Sequence, residues 1–357
     1  MRLKIAGGCG EHGRNCFYVE TENSAFLVDC GLMAEEVAKN KGGYPRLTIE
    51  DIANIKYVFF THSHADHTGA LPWLFEKGFN GKVIATKETL EQLPFTIEKK
   101  ISLEEFCNKR KGKIDNIAIE YGRSGHCVGS VWYQFESDGK VIFFSGDYVE
   151  KNFVHEIDLV QNKVADFAVL DCAYGYDTKS FKNYCEDLIV QVINLKKIYP
   201  SLLFSVPKYG RGLELYWLLK NKFPYWSFQG DEHFLKVLQE SENNIWIKNE
   251  VQLSNDVTLF SNSVTADIVF VSDPQLRSQN ARKITNQVLL SGHAIMTGTV
   301  EKGTMSEQLI EEGKMSMLRF PVHLNYTQFL VLVEKNCFKK TIAYHSKEID
   351  CEREIFI

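Results

Sequence analysis

An α/β fold is predicted by three features of this chain of 357 residues. Short apolar runs of strand length alternate with longer amphipathic segments of helical period. Several of those runs end directly in histidine or aspartate, and no internal repeat or low-complexity linker interrupts the alternation. The N-terminal stretch reads as a strand over 2–6, then a glycine-rich loop over 7–15 whose backbone can pass close to other groups. A hairpin over 16–20 and 25–28 leads into Asp29-Cys30-Gly31. Thr48 is placed to cap a helix over 49–54, with Glu50 and Asp51 in its first turn.

A buried strand over 56–61 and a helix over 69–77 follow, then a strand over 82–85 and a helix over 87–93. The lysine-rich stretch 98–113 reads as a surface segment or helix. Strands are expected over 117–121, 131–135 and 140–144, the last two joined at Asp138-Gly139, a strong hairpin signal. Another apolar strand, 165–170, closes on Asp171. From about 180 the pattern becomes helix 180–197, strand 202–206, and helices 211–222 and 232–242. Strands over 257–260, 268–271 and 288–290 come next, then a helix over 326–335 and a strand over 341–344. A second α/β unit set inside the first describes this order most simply.

Composition narrows the class. Hydrophobic residues make up 44% and charged residues 24%, which is ordinary globular usage. No apolar run approaches the length needed to cross a bilayer, and the N-terminus lacks the apolar core of a signal peptide. The nine cysteines are scattered with no CxxC pair, so reduced thiols and a cytoplasmic location are expected rather than a disulfide framework. A net charge of −5 argues against a broad non-specific grip on nucleic acid and leaves room for a local basic cleft.

The chemistry concentrates in Thr61-His62-Ser63-His64-Ala65-Asp66-His67-Thr68-Gly69, where three histidines and an aspartate fall within six residues. In an extended segment His62, His64 and Asp66 share a face, and a turn can swing His67 toward the same point. Imidazole and carboxylate together suit zinc. Further donors sit at other expected strand ends. His126 lies in Gly125-His126-Cys127-Val128-Gly129-Ser130, Asp147 follows Ser145-Gly146, and His345 follows Tyr344.

This order of motifs resembles the metallo-β-lactamase fold, an αββα sandwich with two metals at one edge of its sheets. The resemblance implies that His62, His64 and His126 hold one zinc ion and Asp66, His67 and His345 the other, with Asp147 bridging. Asp29 matches a buried aspartate that orients ligands from behind. Asp171-Cys172-Ala173-Tyr174-Gly175 and Val206-Pro207-Lys208-Tyr209-Gly210-Arg211-Gly212-Leu213-Glu214-Leu215 are similar to segments of the β-CASP group of nucleic-acid-processing members. So are Ser291-Gly292 through Gly298-Thr299 and Phe320-Pro321-Val322-His323-Leu324-Asn325-Tyr326. The implied division is a metallo-β-lactamase part over 1–178, an inserted β-CASP domain over 179–305, and a returning part over 306–357.

Two departures stand out: Asn325 where the family carries Asp, and Ala173 where Thr is frequent. Ser291-Gly292-His293-Ala294 also resembles a motif of ribonuclease J, which makes His293 a competitor of His323. The adjacency of His323 to the helix and strand leading to His345 favours His323.

By resemblance, His323 is a general acid oriented by Asp171, and Asp66 belongs to the catalytic set. A histidine at position 345 favours RNA, lying in a cleft between the domains, with Lys208, Arg211, Lys302 and the Ser130 loop contacting phosphate. The expected function is a two-zinc endoribonuclease. The alternatives are a nuclease for single-stranded DNA, a phosphodiesterase for a small phosphorylated substrate, and a non-catalytic binding subunit, which the complete ligand set disfavours. No membrane partner is expected.

Overall fold

The computed structural model describes residues 1–242, 244–253 and 256–357. The chain divides into two compact units. The first comprises Met1–Glu150, Ile157–Thr178 and His323–Ile357; the second comprises Lys151–Glu156 and Lys179–Val322.

The first unit is built on two sheets. One runs Glu354–Phe356, Arg2–Gly7, Cys16–Glu20, Ala25–Val28, Ile55–Phe59, Lys82–Ala85, Lys100–Ser102 in spatial order. The other runs Cys337–Tyr344, Val164–Asp171, Lys140–Phe144, Val131–Ser137, Ile117–Arg123, Lys111–Ile114. Their inner faces meet through aromatic side chains. Phe26 lies 4.9 Å from Phe135 between ring centroids, Phe59 lies 4.9 Å from Phe135, and Phe17 lies 5.5 Å from Phe144.

The central strand Ala25–Val28 is buried at every position. Successive side chains point to opposite faces, so Phe26 enters the inter-sheet core while Ala25 and Leu27 meet Leu71, Leu74 and Leu90 of the covering helices. On the outer face of the second sheet, Phe329 and Leu332 of the helix Tyr326–Glu334 pack with Ala168, Leu170 and Ala343. Helices thus cover both sheets, which makes the αββα sandwich.

The second unit is a six-stranded parallel sheet in the order Val257–Leu259, Phe228–Gly230, Ile268–Val271, Leu202–Ser205, His293–Met296, Met315–Met317. It reaches further along the chain than the expected 305. The Thr304-capped helix Met305–Glu311 returns the chain to Met315–Met317, which pairs with His293–Met296 and completes the sheet. Lys151–Glu156 joins it because Glu214 binds three successive N–H groups of that segment. Of residues 291–299, His293–Met296 is a strand of this sheet.

Two element readings are corrected. The run 288–290 is no strand: it ends the helix Gln279–Val288, whose buried Ala281, Ile284, Thr285 and Val288 follow helical spacing. The stretch 98–113 holds the strands Lys100–Ser102 and Lys111–Ile114, one closing an edge of each sheet, around the short helix Leu103–Phe106. The expected Thr48 cap is present as a full capping box with Asp51.

The cysteine expectation also changes. Pairing of Glu354–Phe356 with Arg2–Gly7 brings the two ends of the chain together, and Cys9 is joined to Cys351 in a disulfide with Cα atoms 6.0 Å apart. At a separation of 342 residues no spacing rule signals that pair. The other seven cysteines are free thiols. Among the described residues, no helix is long and apolar enough to cross a membrane.

Candidate metal centre

Parallel strands direct all their C-terminal ends to one edge, and here the polar residues collect. Val28, Phe59, Phe144, Asp171 and Tyr344 close five strands, paired in parallel within each sheet. Asp29, His62, Asp147, Asp171 and His345 stand at or just beyond those ends. Two of them sit where non-glycine residues are rare: Asp29 has φ +62° and His345 φ +72°. The His345 N–H donates to Gly8 O at 2.6 Å and its carbonyl accepts from His12 Nδ1 at 3.0 Å, so both backbone groups are held.

The strand carrying the histidine cluster stops at Phe59, and His64 caps the one-turn helix Ala65–Thr68. Only His62 and His64 therefore follow extended alternation; Asp66 and His67 are presented from helical backbone. The close entry of this turn relies on Gly31, where a Cβ would lie 1.7 Å from Asp66 O.

Three imidazole nitrogens converge. His62 Nε2 lies 3.1 Å from His64 Nδ1, and His126 Nε2 lies 3.2 Å from the same atom. Asp147 Oδ2 is 3.5 Å from both His62 Nε2 and His126 Nε2. A tetrahedral zinc shell with bonds of about 2.0–2.1 Å has ligand–ligand edges of about 3.3–3.4 Å. The four donors match that shell in type and spacing, and a cation satisfies nitrogens that cannot all carry a proton toward one another.

Asp147 presents its other oxygen to a second group. Oδ1 lies 3.1 Å from His67 Nε2 and 3.3 Å from His345 Nδ1. Asp66 Oδ2 is 3.0 Å from His345 Nε2 and 3.8 Å from His67 Nε2. This set is looser, and His345 faces a carboxylate with each ring nitrogen. Behind it, Asp29 Oδ2 accepts from His67 Nδ1 at 2.7 Å, while Thr61 Oγ1 links Asp29 to His62 Nδ1. Donation to Asp29 fixes the His67 tautomer and leaves Nε2 facing inward.

The electrostatics ask for positive charge. Burial works to lower His67, yet Asp147, Asp29 and Asp66 hold it well above the usual imidazole range. Burial likewise works against His345, which Asp147 and Asp66 raise to about 10. Asp66 and Asp147 are held well below the ordinary carboxylate range against their burial, chiefly by His67. Burial and the neighbouring His67 push His62 well below the usual imidazole range. Burial raises Asp29 despite its bonds to His67 and Thr61. Burial and His345 lower His12 to about 4.

His323 stands beside this constellation. Its Nδ1 is 3.1 Å from Asp171 Oδ2, and its ring centroid is 4.8 Å from that of His126. Asp171 is fully buried and also accepts from the N–H groups of Tyr148 and Ala173. His293 is elsewhere, on a strand of the second unit, stacked on Tyr199 and bonded to Ser316.

The phosphate candidates fare differently. Ser130 is 1% exposed, its N–H donates to Cys127 O and its hydroxyl to the same carbonyl, so this residue spends its donors within the loop. Lys208 and Arg211 lie in the second unit, after the strand Leu202–Ser205, with the Arg211 guanidinium against Gly298. Three residues at the site escaped the sequence: Thr61, His12 and Asn15. His12 stacks on His345 with centroids 4.4 Å apart, and Asn15 Nδ2 lies 2.8 Å from His67 Nε2. Only position beside a motif or in the glycine loop hinted at them.

An αββα sandwich carrying two carboxylate–imidazole groups at the strand ends is the architecture of the metallo-β-lactamase fold. The chain belongs to the metallo-beta-lactamase superfamily, whose family model matches residues 9–188. The separate α/β unit is in keeping with the resemblance to the β-CASP group. The chain is 27% identical to the transcription termination factor FttA of Methanothermobacter thermautotrophicus, over 60% of this chain and 38% of that one. It is 21% identical to the endoribonuclease YSH1 of Candida albicans, over 97% of this chain and 49% of that one. An RNase J-like protein of Methanocaldococcus jannaschii is 24% identical over 93% and 89% of the two chains. The chain thus spans half or less of the first two relatives. In fold it resembles a crystal structure of a protein of unknown function from Enterococcus faecalis, with TM-score 0.62 over 99% of both chains at 12% identity.

Proposed function

We propose that the chain is a zinc-dependent nuclease that hydrolyses phosphodiester bonds of RNA, acting as an endoribonuclease. His62, His64 and His126 would hold one ion, Asp66, His67 and His345 the other, with Asp147 shared. When bound, the two ions supply a nucleophile drawn from water near neutral pH and positive charge for the phosphoryl oxygens.

The chain's own residues supply the rest. Asp29 and Thr61 fix the rings of His67 and His62 from behind. Asp171 accepts from His323 Nδ1 and leaves Nε2 to deliver a proton to the departing ribose oxygen. The observation that carries this reading is the position of the His323–Asp171 pair, one ring's distance from a three-histidine cluster and its shared aspartate. Similarity to an endoribonuclease and to an RNase J-like protein supports RNA as the polymer.

The test is incubation of the purified chain with end-labelled RNA and DNA of matched sequence, with and without chelator, beside Asp66→Ala and His323→Ala. Internal cleavage of RNA that chelator abolishes and both substitutions suppress is the expected result. Cleavage that survives both substitutions removes the mechanism. Cleavage of DNA alone, or of neither polymer, removes the substrate assignment.

A further inference from the structure

We propose that Asn15 is a ligand of the second metal position, presenting its side-chain oxygen to a divalent cation held by Asp66, His67 and His345. The inference rests on the two-ion reading given above and adds to it a residue outside the histidine and aspartate motifs.

Asn15 is fully buried. Its backbone already belongs to the ligand turn: its N–H donates to Asp66 O at 2.8 Å, and its carbonyl accepts from Gly31 N–H at 2.8 Å. Its side chain reaches the next ligand, with Nδ2 2.8 Å from His67 Nε2. The other end of the amide, Oδ1, has no hydrogen-bond partner among the described residues. It lies over Gly8, where a Cβ would come within 2.5 Å of it.

The chemistry of these atoms is restrictive. His67 Nδ1 is committed to Asp29, so Nε2 is the nitrogen whose lone pair is left to a cation, and the Asn15 amide nitrogen stands against it. A cation bound by His67 takes that same lone pair. The amide nitrogen cannot follow as a ligand, because its own lone pair is delocalised into the carbonyl and it offers only protons. Its protons would stand against a coordinated nitrogen, with both side chains buried. A half-turn of the terminal torsion exchanges the two ends of the amide without changing its shape. The turned side chain presents a carbonyl oxygen, a donor that zinc tolerates and manganese favours. The orphaned oxygen thereby gains its partner.

A side chain serving only as a strut would also weaken the ion when removed, but it would leave the choice between metals alone, so the Asn15→Asp preference separates the two roles. The experiment uses the full chain as wild type, Asn15→Ala and the isosteric Asn15→Asp, each stripped with chelator and titrated with Zn²⁺ or Mn²⁺ against a chromophoric competitor. Near-UV circular dichroism and thermal melting report folding. Asn15→Ala is expected to weaken the second ion by about 10–100-fold, the range for losing a supporting group at a metal site, with the first ion within about twofold of wild type. Asn15→Asp is expected to bind the second ion at least as tightly as wild type and to shift preference toward Mn²⁺. An Asn15→Ala variant whose second ion binds as in wild type, or tighter, overturns the proposal. So does an Asn15→Asp variant with unchanged Mn²⁺/Zn²⁺ preference, which keeps the test decisive if the alanine variant does not fold. Wild-type protein that takes up fewer than two ions overturns the two-ion reading itself, a result the titration separates from failure at Asn15 alone.

Discussion

Replacement of Glu214 gives the sharpest test of how the second unit holds together. Its side chain is 1% exposed, on the helix Arg211–Lys222, and it accepts from four donors. These are the N–H groups of Phe153 at 2.6 Å, Val154 at 3.0 Å and His155 at 3.2 Å, and His155 Nδ1 at 2.7 Å. Hydrogen bonds to a charged group contribute about 1.5–3 kcal/mol each, and a buried donor left without acceptor costs about 1–3 kcal/mol. The four share one carboxylate and do not add. Removing one partner of a buried charged network costs about 3–5 kcal/mol, and that is the expectation for Glu214→Ala.

Glu214→Gln is more selective. Oε1 serves three of the donors and Oε2 serves Phe153 alone, so the amide NH₂ is expected at the Phe153 end, for a loss of about 1.5–3 kcal/mol. The carboxyl of Glu214 is lowered from 4.5; burial opposes this, and His155 with the backbone donors prevails. Its stabilisation is therefore present above pH 4.5 and lost as pH falls through the lower folded value, an acid limb that the glutamine variant flattens. Urea titration suits the measurement, because Trp217, Trp226 and Trp246 all report on this unit. Hydrogen exchange at residues 153–155 gives the local readout. A Glu214→Ala protein within about 1 kcal/mol of wild type, with those amides equally protected, would refute the reasoning.

Three further outcomes are expected. His323→Ala should lower single-turnover RNA cleavage by about 10²–10⁴ while metal content, read by elemental analysis, stays at the wild-type level. His64 faces both His62 and His126, so His64→Ala should release about one ion per chain on dialysis, which the same analysis detects; unchanged stoichiometry would count against the three-histidine group. Glu11 is opposed by burial yet drawn down to about 2 by Arg14 and Arg46. Its contribution is complete above pH 4.5 and lost as pH falls toward about 2, so Glu11→Gln should flatten the melting temperature across that window. Partial solvent exposure keeps the effect to a few degrees.

What the sequence made legible follows from what is local. His62 and His64 announce themselves because a strand end places alternate residues on one face, and both stay on the extended approach to the helix. His126, Asp147, Asp171 and His345 were visible as polar residues closing apolar runs, since parallel strands gather their C-terminal ends without help from any particular sequence. The supports are not local. Asn15 meets His67 across 52 residues and His155 meets Glu214 across 59, pairings that only the finished topology creates. The corrected readings have local causes too. Asp66 and His67 left the strand because a turn of helix began at His64, and 288–290 proved helical because its apolar spacing extends back to Ala281.

A difference in mutational behaviour follows. The candidate ligands sit beyond strand ends, on short loops or, for Asp66 and His67, on one turn of helix, where a substitution is expected to remove a donor and leave the sandwich core untouched. Residues that hold those positions from behind, such as Asp29 and Thr61, are buried donors and acceptors, and their loss is felt as misplacement or instability. The histidines and aspartates singled out in the sequence are therefore ones that the fold brings together, whereas the precision of that grouping depends on contacts that the sequence alone does not display.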